Sequence, residues 1–508
     1  MDHSEMVHYL LPDGRVVMLM SGIPGWLFGL AVGAVVLLSF VVVEGRGLAA
    51  PSGWRFNLTA GRSVHRLLRK PWFQLVFQVP FAAMFVFTLY AGLFGSYTQN
   101  LAPVLVWTVW WAGLIFAVAL LGNAWCFVCP WDALARPFHR LSLERELPAW
   151  MRSLWPAIAL FVVLTWAELG WGVTNDPRKT ALLGVLMAAG AVVYALLFRG
   201  RPFCETTCLV GRVSGMYSLF SPVEIRPRDQ RVCAVCTTRD CKTACPMDLD
   251  LGELRENQFC TQCTDCFTAC PSLAPALSVR PPASGLVSER VGRSDEAWLA
   301  LILLALTAFH GLSMTPVWQT FEPGETDVVW TLQGWFGVGE TAAFTIGMAL
   351  VMAVPIAAYA LSTAVARALV RDTAVSFRQL FVSYAYSVLP VALFYHLAHN
   401  AMHLFMEGQD VVPALSDPLG RGWDLFGTAS LHLDALVGQG PTWVVQVVLV
   451  VTGHVFGVLV SHRIARRLFP DRRHAVLSLL PMLVMMVLLS VGGLWLMHLD
   501  MNMRMGRM

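Results

Sequence analysis

Long apolar runs broken by short polar stretches dominate this chain. A helix that crosses a bilayer core needs about 20 apolar residues. Runs of that kind lie at 23–43, 73–93, 103–124, 154–173, 181–198, 297–315, 338–362, 380–404, 442–462 and 475–497. They predict about ten transmembrane helices, five on each side of a polar segment at 199–296. The expected fold is an all-α polytopic membrane protein with an inserted cytoplasmic domain. No basic stretch followed by a small-residue cleavage site precedes the first run, so it reads as an uncleaved anchor.

Composition agrees with the pattern. Of 508 residues, 56% are hydrophobic and only 14% charged, against about 25% charged in an ordinary soluble chain. A net charge of +3 is too small to argue for nucleic acid. The basic residues also fall on one side of a ten-span topology. Arg46, Arg55, Arg62, Arg66, Arg69 and Lys70 lie in one loop, and Arg136, Arg140, Arg145 and Arg152 in the next. Arg367, Arg371 and Arg378, then Arg463, Arg466, Arg467, Arg472 and Arg473, occupy later loops on that same side. By the positive-inside rule that side is cytoplasmic and holds residues 199–296, with both termini outside. The opposite loops are short or carry acids such as Glu322, Glu325 and Asp327. A prokaryotic cytoplasmic membrane is the expected location, with lipid as the first partner.

The twelve cysteines all fall in tight groups. Residues 260–271, CTQCTDCFTACP, match C-x2-C-x2-C-x3-C-P. In that run three thiolates hold one iron–sulfur cluster and the fourth reaches its neighbour. Residues 233–246, CAVCTTRDCKTACP, repeat the run with a middle spacer longer by two residues. This spacing assigns Cys233, Cys236, Cys241 and Cys270 to one 4Fe–4S cluster, and Cys260, Cys263, Cys266 and Cys245 to the other. Zinc is the competing reading of four thiolates, and the two C-x3-C-P endings favour iron–sulfur. Cluster ligation implies a reducing compartment, independently of the loop charges. Two further pairs, Cys126/Cys129 in WCFVCPW and Cys204/Cys208 in FCETTCLVG, sit at expected cytoplasmic helix ends. For these four, redox-active thiols, a third metal centre or cluster, and structural cysteines are all open.

The order of spans, a cysteine pair, further spans, a second pair and two ferredoxin runs resembles the membrane polyferredoxins of the NapH and NosR type, over roughly residues 70–280. The resemblance implies an electron-transfer subunit serving periplasmic reductase systems. The pairs depart from the usual C-x3-C-P: the first is C-x2-C-P, and Leu209 follows the second.

Residues 300–508 lie outside that resemblance. YHLAHNAMH places His396, His399 and His403 near one face of a helix. His454 falls near mid-membrane in the ninth run, His310 and His498 near outer helix ends, and His432 in an outer loop. Intramembrane histidines are expensive and usually functional. Haem b between His454 and His396 or His399 is one reading. Copper at outer groups such as His403, His432 and the tail MHLDMNMRMGRM is another. Hydrogen bonding across helices is the third. Glu168 is an acid inside the fourth run, a candidate proton acceptor for quinol oxidation or a residue reaching the interface. Trp107, Trp110 and Trp111 read as interfacial anchors. DPLGRGWDLFGT at 417–428 reads as an ordered outer loop that caps the histidines or docks a partner.

These readings divide the chain into a five-span domain (1–198), a cytoplasmic dicluster domain (199–296) and a histidine-containing five-span domain (297–508). The function expected is electron transfer between a quinone pool or cytoplasmic donor and a periplasmic or exported redox protein, with quinol dehydrogenase activity as one form. The alternative is a metal-handling polyferredoxin that reduces copper or assists cofactor assembly.

Overall fold

The computed structural model describes residues 6–10, 16–44, 54–287, 292–320, 326–370 and 375–503. Arg46, Arg371, Glu322, Glu325 and the last five residues of the methionine-rich tail lie outside them, as does the side chain of Arg62.

The long helices, in chain order, are α1 (Gly25–Glu44), α2 (Pro71–Phe94), α3 (Leu101–Leu121), α4 (Trp155–Gly170), α5 (Pro177–Leu197), α6 (Ser294–Ser313), α7 (Glu340–Val370), α8 (Phe377–Glu407), α9 (Gln439–Leu468) and α10 (Arg472–His498). Among the described residues, nine are long and apolar enough to cross a membrane. The tenth expected span is α4. Its 16 residues rise only about 24 Å at 1.5 Å each, short of a core about 30 Å thick. The chain is thus multi-pass by helix length and composition.

Local chemistry places the helix starts. Asn100, Asp176, Ser376 and Asp471 each accept a backbone N–H in the first turn of α3, α5, α8 and α10, filling donors that a helix start leaves open. Prolines lie inside α2, α7, α8 and α10, where neighbouring helices can compensate the missing hydrogen bond.

The most enclosed helix is α8. In its most apolar window 83% of residues are buried, against 22% for α2, so α8 is the axis of the bundle and α2 belongs to its rim. α8 packs on α9, α6 and α3. Its seam with α9 is close because two glycines, Gly453 and Gly457, face it. A Cβ on Gly453 would stand 2.5 Å from Phe394 Cβ, and one on Gly457 3.0 Å from Val391 Cγ2. This G-x-x-x-G spacing lets helix backbones approach.

The expected division of the chain is crossed in space. α1, from the first expected domain, packs on α9 and α10 of the last. The strand Val16–Met20 pairs with Met501–Met503, and His498 Nδ1 meets Ile23 O at 2.6 Å, so the described chain ends meet at one end of the molecule.

The polar segment joins the other end. A three-stranded antiparallel sheet of Phe56–Asn57, Pro275–Val279 and Val223–Pro227 ties the loop after α1 to the cysteine segment. Glu224, fully buried on this sheet, collects Arg55 at 2.7 Å, Arg226 at 3.1 Å and Arg280 at 2.9 Å. The loop 417–428, which the sequence offers as a cap on the histidines or a docking loop for a partner, braces the α2–α3 turn: Leu419 O accepts from Ser96 N, Pro418 O from Leu101 N, and Arg421 donates to Phe94 O. Gly420 sits there at φ +62° within van der Waals reach of Gln99 O, a place with no room for a side chain.

Candidate functional site

The cysteine segment is built from a repeated turn, DCKTACP at 240–246 and DCFTACP at 265–271. Each copy forms one short helix, Asp240–Ala244 or Asp265–Ala269, and the two helices pack together. The residue before each aspartate is left-handed, Arg239 at φ 49° and Thr264 at φ 66°. So is the second residue after each proline, Asp248 at φ 52° and Leu273 at φ 52°. Left-handed non-glycine residues cost about 1–3 kcal/mol each and persist where the surroundings impose them.

The fold places the eight thiols near one another in two groups. Cys233 interacts electrostatically with Cys241, Cys270 and Cys236. Cys266 interacts with Cys260, Cys263 and Cys245, and then with Cys241 of the other set. Backbone N–H groups face several sulfurs: Leu251 toward Cys241, Leu249 and Met247 toward Cys245, Gln262 toward Cys260, Asp265 toward Cys263. Burial pushes the Cys260 thiol up to about 12 and that of Cys266 well above its ordinary value. Bare thiolates are therefore costly here, and a cationic metal centre reverses that cost. Among the described residues, no three His, Cys, Asp or Glu side chains converge tightly enough to share one ion. Thiols faced by backbone amide donors fit iron–sulfur clusters, whose sulfurs accept such hydrogen bonds.

The two remaining pairs meet. Cys126, Cys129, Cys204 and Cys208 line one cavity with Trp125, Trp131, Asp132 and Arg201. Cys129 and Cys208 are buried, Cys126 and Cys204 partly so. Cys208 caps the nine-residue helix Leu209–Tyr217, its sulfur accepting from Gly211 N at 3.4 Å. Burial pushes Cys126 up to about 12 and Cys129 well above its usual value, the neighbouring thiols adding to both. Arg212, 3% exposed, stands close enough to interact with Cys126, Cys208 and Cys204, and its Nε has no hydrogen-bond partner. The indole nitrogens of Trp125 and Trp131 are also buried without one. Four thiols, a buried cation and orphaned donors fit a sulfur-rich anionic centre.

This cavity touches the cysteine segment directly. Asn123 donates to Cys260 O at 2.9 Å, Gln262 donates to Leu121 O at 3.0 Å, and Thr261 lines the cavity beside Cys126. Arg201 lies 3.1 Å from Asp132 and 3.9 Å from Asp265, the neighbour of Cys266. Trp110, expected as an interfacial anchor, packs instead on Trp125 at 5.2 Å and Trp131 at 6.0 Å. Trp107 is buried and donates to Thr180 Oγ1 at 3.0 Å. Both belong to a stretch, Val104–Trp111, wound as π-helix, a form frequent at functional sites.

The histidines separate into two groups. His454 is fully buried, with Nε2 2.7 Å from Ser39 Oγ of α1 and Nδ1 2.9 Å from Ser490 Oγ of α10. Both ring nitrogens are engaged, so in this structure it is a hydrogen-bonded core residue and leaves no nitrogen free for a haem iron. The others line another side of α8. Tyr217 Oη meets His396 Nδ1 at 2.9 Å. The His399 ring lies 5.5 Å from that of His310 and 5.0 Å from that of His403. His403 Nδ1 lies 3.2 Å from Glu407 Oε2, and His310 Nε2 3.7 Å from Glu168 Oε1. His432 is exposed in the loop before α9, apart from this row.

Spacing alone did not point to Asp132, Arg201, Arg212 or Tyr217. One signal was present: charged side chains within a few residues of cysteines in otherwise apolar stretches, as in CPWD and RPFC.

No protein-family model matches the chain, and no solved structure does. Over 146 residues, 28% of its length, the chain is 30% identical to the "Putative electron transport protein YccM" of Escherichia coli (strain K12). The match spans 39% of that protein.

Proposed function

We propose that this protein carries electrons in a prokaryotic cytoplasmic membrane through two 4Fe–4S clusters in the cysteine segment and a third centre at the four-thiol cavity. The observation that carries this reading is the contact between the two: Arg201 stands between Asp132 of the cavity and Asp265 of the segment, and Asn123 bonds the backbone of Cys260. The similarity to a protein named for electron transport supports the same class.

Bound clusters would supply one-electron chemistry at potentials set by charge, hydrogen bonds and burial. Cys233, Cys236, Cys241 and Cys270 would hold one, and Cys260, Cys263, Cys266 and Cys245 the other. Cys126, Cys129, Cys204 and Cys208 would hold the third. The protein's part is to keep the thiols apart from water, point amide N–H groups at sulfur, and place Arg201 and Arg212 where negative charge collects. The finer reading is a polyferredoxin of the NapH and NosR type, exchanging electrons with a quinone pool on one side and a membrane or periplasmic redox protein on the other. Haem is left out of it, since both nitrogens of His454 are engaged by serines.

Iron and acid-labile sulfide on the purified full-length protein, with electron paramagnetic resonance after reduction, test this reading. Three 4Fe–4S clusters require about twelve irons per chain, falling by about four in Cys126→Ser/Cys208→Ser. About eight irons, unchanged by that substitution, would refute the third centre. An iron-free chain would refute the whole reading.

A further inference from the structure

The side of α8 that bears His396, His399 and His403 continues to Glu407 and Asp410, with these positions three or four residues apart. Residues at that spacing lie one above another on a helix, so from His396 to Glu407 the row climbs about 16 Å at 1.5 Å per residue. His310 of α6 stands beside it, facing His399 and in electrostatic reach of His396. At one end the row is open, for Asp410 is exposed. At the other it stops inside the protein at Tyr217, 1% exposed. Tyr217 ends the helix whose first turn is capped by the Cys208 sulfur.

We propose that this row is a proton path, by which a proton from the water at Asp410 reaches the Tyr217–His396 pair when an electron reaches the four-thiol cavity. An imidazole accepts a proton at one nitrogen and releases one from the other, and chains of intramembrane His and Glu or Asp are a known form of proton relay. The groups are strung out along one side of a helix with their rings in sequence, which is the arrangement of a relay. The rings stand in T-shaped contact at 5.0 and 5.5 Å between centres, so that rotation of one ring turns its nitrogens toward the next. Other polar groups facing the row include Glu168 on His310, Thr307 at Tyr217, Ser313, which donates to His310 O, and Asn400, which donates to His396 O. His310 Nδ1 is buried without a hydrogen-bond partner, leaving it a site for the passing proton.

The balance is one electron and one proton. A one-electron donor is oxidised and the centre proposed at the four-thiol cavity would take up its electron, adding negative charge in a medium of low dielectric; one proton leaves hydronium in the water outside and forms an N–H bond on the His396 imidazole, which becomes imidazolium. The inference rests on the electron-transfer reading.

The test mixes full-length protein in unbuffered detergent solution with reduced methyl viologen, which gives up an electron without releasing a proton. Viologen absorbance counts electrons, and a pH indicator counts protons. Wild-type protein is expected to take up protons together with electrons. His399→Phe should take up at least tenfold fewer protons per electron in the first second, with recovery on adding formate as a mobile proton carrier. Asp410→Asn, at an exposed position where misfolding is not at issue, should do the same to a smaller degree. Electron uptake without protons in wild type, or both variants behaving as wild type, overturns the path alone. A protein that oxidises no viologen overturns the electron-transfer reading and the path with it.

Discussion

His65 shows how single side chains report on the cysteine segment. It is buried with Nε2 unpartnered, its ring 5.4 Å from Phe267 between two cysteines. Burial first, then Arg228, holds its pKa below 6.5. The unfolded chain therefore binds a proton that the folded one resists. The resulting stability is present above about pH 6.5 and is lost as pH falls toward the folded value. Thermal unfolding followed from pH 8 to 5 should show a falling midpoint that His65→Phe flattens. Glu224 is the opposite case, a buried carboxylate whose removal strands three arginines. Glu224→Ala should cost about 3–5 kcal/mol, seen as proteolysis within 223–280 under conditions where wild type resists. The residues that bear chemistry differ in how well sequence exposes them. The ferredoxin cysteines stand in local spacing, whereas Arg212 looks like any loop arginine until the fold buries it among thiols.

Among the elements, the α8–α9 seam offers the sharpest test. Gly453→Leu puts a branched side chain where a Cβ alone would stand 2.5 Å from Phe394 Cβ. Overpacking of that kind costs about 1–3 kcal/mol. Gly492→Leu in α10, with nothing within 4 Å of its Cβ position, is the matched control and should leave the melting temperature in detergent unchanged. Hydropathy found the long helices because crossing a bilayer demands a run of fixed length, a local property. It overestimated α4, whose apolar run continues past Gly170 into a turn. The repeat DC-x-TACP was legible too, since each copy makes the same tight helix between two left-handed residues.

For the whole molecule, the chain's two halves are interlocked. α1 supplies Ser39 to His454 and packs on α9 and α10. Removing residues 1–44 should therefore destabilise the C-terminal helices more than α2–α5, and limited proteolysis of membranes should cut first within 375–503. Labelling of single introduced cysteines in intact cells would place residues 54–70 and the cysteine segment on one side of the membrane, since one sheet joins them.

Sequence by itself determined the helical character and the approximate spans, because each depends on neighbours within a few tens of residues. The tertiary structure decided what no spacing contains. It set Cys126 and Cys129 against Cys204 and Cys208 across about 75 residues of chain. It gave His454 to two serines, and it aligned His310 and Tyr217 with the histidines of α8. Those meetings depend on which helix faces pack together, and apolar faces that look alike in sequence are told apart only by the shapes that fit, such as the glycines that bring α9 onto α8.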